Sequence, residues 1–155
     1  MEIEKVLEKL GVKYRLVKHK AVFTVGETDD ALGDHYAIKN LFLKDKSGQY
    51  YLTIMSGHKR LDIKSLAEQV GSGKLCFAKA DDLMEVLGVT PGSVSLFGIV
   101  NDKNHQVQVV VEKDLMALDE VSFHPNDNTA TIFFKPENLH KIASEFNHDI
   151  KLVDM

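Results

Sequence analysis

The chain has one cysteine, no long apolar run and no excess of positive charge, and each of these absences removes a class of protein. Cys76 cannot form an internal disulfide, and its apolar neighbours predict a buried structural thiol in a reducing compartment. No apolar run approaches the ~20 residues that a membrane-spanning helix needs. The charged N-terminal segment 1–5 is unlike a signal peptide. We therefore expect a cytoplasmic protein without a membrane partner.

The net charge of the chain is −4, from 19 Lys and Arg residues against 23 Asp and Glu residues. This balance argues against tight non-specific binding to nucleic acid, although it allows a local basic patch. The sequence shows no cluster with metal-ligand spacing, no Ser-His-Asp arrangement and no activated thiol. We therefore expect neither a metal nor another cofactor.

The 155 residues, 44% of them hydrophobic, suffice for one domain with a sizeable core, spanning 1–155. Predicted strands outnumber helices and are often joined as hairpins, so the predicted fold class is α+β, with a mixed, largely antiparallel sheet packed against helices. The predicted helices cover 3–10, 24–32, 62–70, 81–87, 114–118 and 136–146. The predicted strands cover 14–17, 36–44, 49–55, 75–78, 96–100, 106–112 and 150–153, with two more inside 121–134.

His124 is the first candidate site residue, because it stands at the edge of a polar turn between two predicted strands. Pro125 disfavours the helical region for the residue before it and so keeps His124 extended. The segment 126–128, Asn-Asp-Asn, is typical of a turn. Loops between strands often display site residues, but a purely structural turn histidine is the alternative that this segment leaves open.

Lys39 is the second candidate, since it interrupts a strand that is apolar on both faces. The strand period places Lys39 and Leu41 on one face and Asn40 on the other, which predicts a central strand covered on each side. A lysine in such a place lines a cleft or pairs with a carboxylate. The alternative is a lysine whose stem packs while its ammonium reaches solvent, as we expect for Lys44 at the strand end.

Gly92 is the third candidate, in a segment that joins a helix to the next predicted strand. The pair Pro91-Gly92 predicts a type II turn, whose third position needs a positive φ. Bare glycine also allows a ligand to approach the backbone N–H groups. A turn with no role beyond structure is the alternative.

The basic segment 57–60, Gly-His-Lys-Arg, precedes the helix that we expect Asp62 to cap. Its positive charges, with a helix N-terminus nearby, favour contacts to phosphate groups. Further lysines at 64, 74 and 79 extend the patch. A solvated loop is the competing interpretation.

Three segments occur in this order: 37–45, Ala-Ile-Lys-Asn-Leu-Phe-Leu-Lys-Asp; 88–94, Gly-Val-Thr-Pro-Gly-Ser-Val; and 123–131, Phe-His-Pro-Asn-Asp-Asn-Thr-Ala-Thr. Together they resemble the aminoacyl-tRNA editing family, found as an inserted domain in bacterial prolyl-tRNA synthetases and as free-standing deacylases. The Lys-Asn-Leu-Phe-Leu-Lys-Asp form is similar to the free-standing, alanyl-specific branch. The resemblance covers residues 2 to 153.

The resemblance implies a single editing domain that hydrolyses the ester between a wrongly attached amino acid, here alanine, and proline tRNA. The implied partners are mischarged tRNA(Pro) and, as a further candidate, prolyl-tRNA synthetase. It implies catalytic positions at Lys39, Gly92 and His124, and substrate-binding positions at Asn40, Leu41 and Ser93. We expect tRNA contacts at Lys44, His58, Lys59, Arg60 and Lys74.

One position departs from the family pattern, because the loop that begins at Gly92 continues to Leu96, where the family commonly has proline. That change concerns the rigidity of the loop and the size of the pocket. The competing hypotheses are a non-catalytic sensor of aminoacyl-tRNA or amino acid on the same fold, and a structural subunit of a synthetase complex. The joint presence of Lys39, Gly92 and His124 favours catalysis.

Overall fold

A computed structural model of the chain describes residues 3–18, 38–125 and 129–155. Their helices are α1 (Ile3–Lys9), α2 (Ile63–Val70), α3 (Ala80–Val86) and α4 (Asn138–Glu145). Their strands are β1 (Tyr14–Lys18), β2 (Ile38–Asp45), β3 (Tyr50–Ser56), β4 (Leu75–Phe77), β5 (Val107–Glu112), β6 (Val121–Phe123), β7 (Ala130–Phe134) and β8 (Ile150–Val153). Short 3₁₀ helices cover Pro91–Ser93, Leu96–Asn101 and Lys113–Ala117. The helix predicted at 24–32 lies outside the described residues.

Five of the described strands form a mixed sheet in the order β4-β2-β3-β5-β8. The strand β2 is antiparallel to both of its neighbours, β4 and β3, whereas β5 runs parallel to both β3 and β8. The turn between β2 and β3 is closed by the Asp45 carboxylate, which accepts from the backbone N–H groups of Ser47 and Gln49 at 2.9 and 3.0 Å. The predicted hairpin and the central position of β2 are therefore confirmed.

The other three strands form an antiparallel sheet in the order β1-β7-β6. The strands β6 and β7 pair directly, with Phe123 opposite Ile132, which confirms the two strands predicted on either side of His124; the turn predicted at 126–128 lies outside the described residues. Helices and two strand systems in one unit confirm the predicted α+β class with a mixed, mostly antiparallel arrangement.

The larger sheet has a different apolar cluster on each face, and this decides where the side chains of β2 lie. The main core on one face contains Phe42 and Ile54 together with Phe123 of β6. A smaller cluster on the other face contains Leu43 and Leu66 of α2. Because side chains alternate along a strand, Asn40 belongs to the face of the main core, whereas Lys39 and Leu41 belong to the opposite face.

The strand predicted at 96–100 is wrong, because Leu96–Asn101 forms a 3₁₀ helix. The hydroxyl of Ser95 accepts from the N–H of Phe97. The side chains of Leu96, Phe97 and Ile99 in this helix are all buried. A continuous apolar run does not distinguish a buried strand from a buried helical segment. The partners of β5 are consequently β3 and β8.

Two smaller predictions are also corrected. Cys76 is exposed rather than buried, because β4 is an edge strand with β2 as its single neighbour. Asp81 lies in the first turn of α3 instead of capping it. The carboxylate that accepts from the backbone N–H of Lys79 before the helix is that of Asp82, at 3.1 Å.

The buried carboxylate of Asp102 joins the end of the 3₁₀ helix Leu96–Asn101 to the segment between α4 and β8. Asp102 accepts from the backbone N–H groups of Gln106 and Val107 at 3.0 and 2.9 Å, and its Oδ2 lies 2.8 Å from Nε2 of buried His148. Removing the carboxylate leaves these polar groups without their acceptor in a region closed to solvent.

We expect Asp102→Ala to lower the free energy of unfolding by about 3 kcal/mol, the cost of breaking a buried polar network by removing one partner. Urea denaturation of the variant and the parent chain measures the difference. Asp119→Ala, at an exposed position, is the matched control and should change the stability by no more than about 0.5 kcal/mol. Equal effects of the two substitutions would contradict the structural role of Asp102.

Candidate active site

His124 follows β6 directly, and its ring is held by the start of β7. Its Nδ1 lies 2.9 Å from the carbonyl oxygen of Ala130, and the residue is half-buried. A carbonyl oxygen only accepts hydrogen bonds, so Nδ1 must carry a proton. The neutral imidazole therefore has its lone pair on Nε2, the nitrogen that accepts a proton from a water or a hydroxyl group.

The segment containing Gly92 is tied to His124 through Ser95. The buried hydroxyl of Ser95 donates to the carbonyl oxygen of His124 at 2.5 Å and accepts from the N–H of Phe97 at 3.4 Å. This hydroxyl fixes the loop at position 95, one residue before the position at which the family pattern has proline. Leu96, which stands where the family pattern has that proline, is fully buried as the first residue of the 3₁₀ helix.

The predicted type II turn at Pro91-Gly92 is wrong, because Pro91–Ser93 forms one turn of 3₁₀ helix. Proline is favoured at the first helical position, where its missing N–H costs nothing. The N–H of Ser93 donates to the carbonyl oxygen of Thr90 at 2.9 Å. By the geometry of a helix start, the N–H of Gly92 is the donor of this turn that has no partner inside the helix.

Lys39 lies near the start of β2, and its ammonium donates to the carbonyl oxygen of Lys59 at 2.5 Å. The residue is half-buried, and β2 pairs it with Met55. Among the residues that the structure describes, the partner of Lys39 is thus a main-chain carbonyl in the turn that follows β3, not a carboxylate. Leu41, two residues on, shares this face of the sheet and is also half-buried.

Asn40 lies on the opposite face, which is the face toward β6. The strands β2 and β6 approach each other closely, and Phe123, the residue before His124, belongs to the same core as Phe42. The Oδ1 atom of Asn40 is buried and has no hydrogen-bond partner among the residues that the structure describes. A buried acceptor in this state is unusual and points to a ligand or solvent partner.

The five predicted tRNA contacts separate into two groups. His58, Lys59 and Arg60 follow β3, near the ammonium of Lys39. Lys44 and Lys74 line a groove of about 390 Å³ at the other end of β2. At ~3.3 Å per strand residue, Lys39 and Lys44 are about 17 Å apart along β2.

Two of these lysines already have acidic partners. The ammonium of Lys59 lies 2.8 Å from Glu112 Oε2 and 3.1 Å from Asp114 Oδ2, and the hydrogen bond to Glu112, followed by that to Asp114, raises the pKa of Lys59. The ammonium of Lys44 lies 3.6 Å from Asp82 Oδ1. The residues His58, Arg60 and Lys74 are exposed.

Asp82 also accepts from the hydroxyl of Tyr50 at 2.9 Å. That hydrogen bond is the main reason why the pKa of Asp82 is lowered, ahead of the backbone N–H of Lys79 and the charge of Lys44. Burial, followed by the bond to Asp82, raises the pKa of Tyr50 to about 12. Asp82 therefore stays ionised at neutral pH and holds Lys44 against the groove.

Within 3–18, 38–125 and 129–155, no three His, Cys, Asp or Glu side chains are grouped so that they could hold a metal ion. Over the same residues, no helix combines the length and the apolar character needed to cross a membrane.

Ser95 and Glu112 were not among the residues singled out from the sequence. Glu112 ends a strand that is otherwise almost entirely apolar, and it is 1% exposed. The same signal that identified Lys39, a charge on an apolar strand, would have found it. Ser95 gives no such signal, since its contact with His124 spans 29 residues of sequence.

Known proteins are similar to this chain in sequence and in fold over nearly its whole length. The sequence model of the aminoacyl-tRNA editing domain matches residues 19–142. The prolyl-tRNA editing protein ProX of Acetoanaerobium sticklandii is 38% identical over 152 residues, covering 96% of this chain and 93% of that protein. The prolyl-tRNA synthetase associated domain-containing protein 1 of Bos taurus is 32% identical over 156 residues, covering 95% and 90%.

Among solved structures, that of hypothetical protein APE2540 superposes with a TM-score of 0.82 at 23% identity, over 98% of this chain and 97% of that one. A protein assigned provisionally as a trans-editing enzyme for prolyl-tRNA synthetase gives a TM-score of 0.77 at 24% identity, over 98% and 92%. These likenesses establish the fold. The sequence matches go further, and the chain belongs to the aminoacyl-tRNA editing domain family, a class of aminoacyl-tRNA deacylases.

Proposed function

We propose that this protein is a trans-editing hydrolase that removes alanine from mischarged tRNA(Pro) by hydrolysing the aminoacyl ester. The observation that carries the proposal is the way His124 is held between β6 and β7. The carbonyl oxygen of Ala130 fixes the tautomer of His124, and Ser95 joins that histidine to the segment of Gly92. A ring with a defined lone pair, joined through Ser95 to a segment that carries a backbone donor, suits the activation of a water molecule at an ester.

Asn40, Leu41 and Ser93 are our proposed substrate-binding residues. The amide oxygen of Asn40 is a buried acceptor without a partner in the described part of the chain, and the α-ammonium of an aminoacyl group would satisfy it. Ser93 is half-buried on the segment that Ser95 joins to His124, and it is proposed as a wall of a pocket of methyl size; Leu41 is half-buried on the other face of β2 and is proposed to contact the substrate beside Lys39.

The proposed reaction needs a positioned water, an oxyanion donor and a proton for the leaving oxygen. The water oxygen attacks the ester carbonyl carbon, and its proton passes to Nε2 of His124 or to the free ribose hydroxyl. The N–H of Gly92 donates to the developing oxyanion. The bond from the carbonyl carbon to the ribose oxygen then breaks, and that oxygen receives a proton from Nε2 of His124 or from the free ribose hydroxyl, which passes on its own proton as it takes the one from water. Lys39 supplies positive charge at the ester carbonyl or at the terminal phosphate.

The second candidate function is a sensor that binds aminoacyl-tRNA or an amino acid without hydrolysis. Turnover distinguishes the two. With the protein at one hundredth of the concentration of alanyl-tRNA(Pro), a hydrolase releases all of the alanine, whereas a sensor protects an amount equal to its own concentration. Release of no alanine above the uncatalysed rate would contradict the proposal.

For the tRNA body, we propose phosphate contacts at His58 and Arg60, close to the ester, and at Lys44 and Lys74 further along the tRNA. The side chain of Lys59 is held by two carboxylates, so we propose that it supports the turn and does not contact phosphate itself. We also propose prolyl-tRNA synthetase as a partner, a proposal supported by the names of the relatives from Bos taurus and other animals.

We expect Arg60→Ala to raise KM for alanyl-tRNA(Pro) about threefold with little change in kcat, because a phosphate contact contributes equally to the bound substrate and the transition state. Few phosphate contacts are available to a chain of charge −4, so binding should weaken only shallowly with salt. Steady-state kinetics at two salt concentrations measure both effects. Lys151→Ala, on the edge strand β8, is the matched control. An unchanged KM would place the tRNA surface elsewhere.

A further inference from the structure

The turn that holds the ammonium of Lys39 is itself held by one buried carboxylate. Glu112 Oε1 accepts from the N–H of Ser56 at 2.9 Å, and Glu112 Oε2 lies 2.8 Å from the ammonium of Lys59. Ser56 is the residue at which the turn begins. Lys59 is the residue whose main-chain carbonyl oxygen accepts from the ammonium of Lys39 at 2.5 Å. Glu112 thus bridges both ends of the turn 56–59.

The geometry leaves the turn little freedom. The N–H of Lys59 donates to the carbonyl oxygen of Ser56 at 3.3 Å, which closes the turn, and the ammonium of Lys59 also donates to the carbonyl oxygen of Met155 at 3.1 Å. Glu112 is 1% exposed, and a carboxylate buried to this extent requires the pairing and the hydrogen bonds that it has here. The ion pair between Glu112 and Lys59 is therefore structural, and it holds the carbonyl oxygen of Lys59 at a fixed position.

We propose that Glu112 and Lys59 are positioning residues for Lys39. Through the ion pair between them, they set the carbonyl oxygen of Lys59, and this carbonyl sets the place of the Lys39 ammonium. The inference rests on the proposed function, since it assigns to Lys39 the charge that acts on the substrate. Neither positioning residue touches the reacting atoms.

Asp114 supplies a matched control. Its carboxylate also lies near the ammonium of Lys59, at 3.1 Å, but its side chain is 76% exposed and does not bridge the turn. Glu112→Gln and Asp114→Asn therefore remove the same charge from the same ammonium, and only Glu112→Gln breaks the bridge. Lys59→Met is a second variant, which keeps the main-chain carbonyl and an apolar stem but removes the ammonium.

The test is a double-mutant cycle on alanyl-tRNA(Pro) deacylation. We expect Glu112→Gln and Lys59→Met each to lower kcat at least about fivefold, and Asp114→Asn to change kcat less than about twofold. In a chain that already carries Lys39→Ala, Glu112→Gln should cause no further loss, because its effect passes through Lys39. Effects that multiply would show that Glu112 acts independently of Lys39 and would overturn the proposal.

A second measurement does not depend on activity. Trace acetylation followed by mass spectrometry reports the reactivity of each lysine in the folded protein. Loss of the carbonyl contact should raise the reactivity of Lys39 about threefold or more in Glu112→Gln and in Lys59→Met, with no rise in Asp114→Asn. An unchanged Lys39 in both folded variants overturns the positioning role. Absence of deacylation in the parent chain would instead overturn the proposed function and leave this readout to decide the positioning role.

Discussion

Replacing Lys39 by alanine is expected to slow the deacylation of alanyl-tRNA(Pro) at least about tenfold, a loss of more than ~1.4 kcal/mol of transition-state stabilisation. The ammonium is fixed by the carbonyl oxygen of Lys59 at 2.5 Å, on a strand that is otherwise largely apolar. A charge placed in advance near the ester acts in the transition state without reorganisation, so its removal costs rate.

The kinetic form of that loss identifies what the charge acts on. A fall in kcat with an unchanged KM would place the charge at the ester carbonyl, whereas a rise in KM would place it at the terminal phosphate. Lys46→Ala, in the exposed turn that follows the same strand, is the matched control and should retain the parent rate. If Lys39→Ala folds normally and keeps full turnover, Lys39 has no role in the reaction.

The second large effect concerns selectivity between amino acids. Alanine should be removed from tRNA(Pro) at least about a hundredfold faster than proline, because a pocket of methyl size excludes the larger pyrrolidine ring by steric clash. A pocket rejects a side chain that is too large far better than one that is slightly smaller or slightly more polar. Serine, one oxygen larger than alanine, should therefore be removed more slowly but measurably.

Parallel rates on alanyl-, seryl-, cysteinyl- and prolyl-tRNA measure this selectivity. We propose that the wall that decides the selectivity is at the loop of Gly92, where the buried Leu96 replaces the proline of the family pattern and Ser95 holds the loop. Cysteine removed faster than alanine would place the protein in the cysteinyl-specific branch. Rapid hydrolysis of prolyl-tRNA would contradict the editing function.

The parts of the fold that were predictable have local signals. Alternation along 38–45 and the turn at 45–48 identify the hairpin, and the same alternation separates Lys39 from Asn40. Pro125 and the polar turn after it identify the strands on either side of His124. Each of these features depends on neighbours a few residues away, which the sequence displays directly.

The parts that were not predictable depend on distant contacts. The apolar run from Leu96 suits a strand as well as a buried 3₁₀ helix, and Ser95, which precedes that helix, is held by the carbonyl oxygen of His124, 29 residues away. The exposure of Cys76 follows from the edge position of β4, which only the strand order reveals. The acidic partners of Lys59 are more than fifty residues away along the chain, at positions 112 and 114.

The most direct test of the account is a charging reaction with prolyl-tRNA synthetase and tRNA(Pro), supplied with alanine or with proline, in which this protein is present in catalytic amount. We expect that alanyl-tRNA(Pro) fails to accumulate while prolyl-tRNA(Pro) reaches the level seen without the protein. Undiminished accumulation of alanyl-tRNA(Pro), or equal loss of both products, would contradict it.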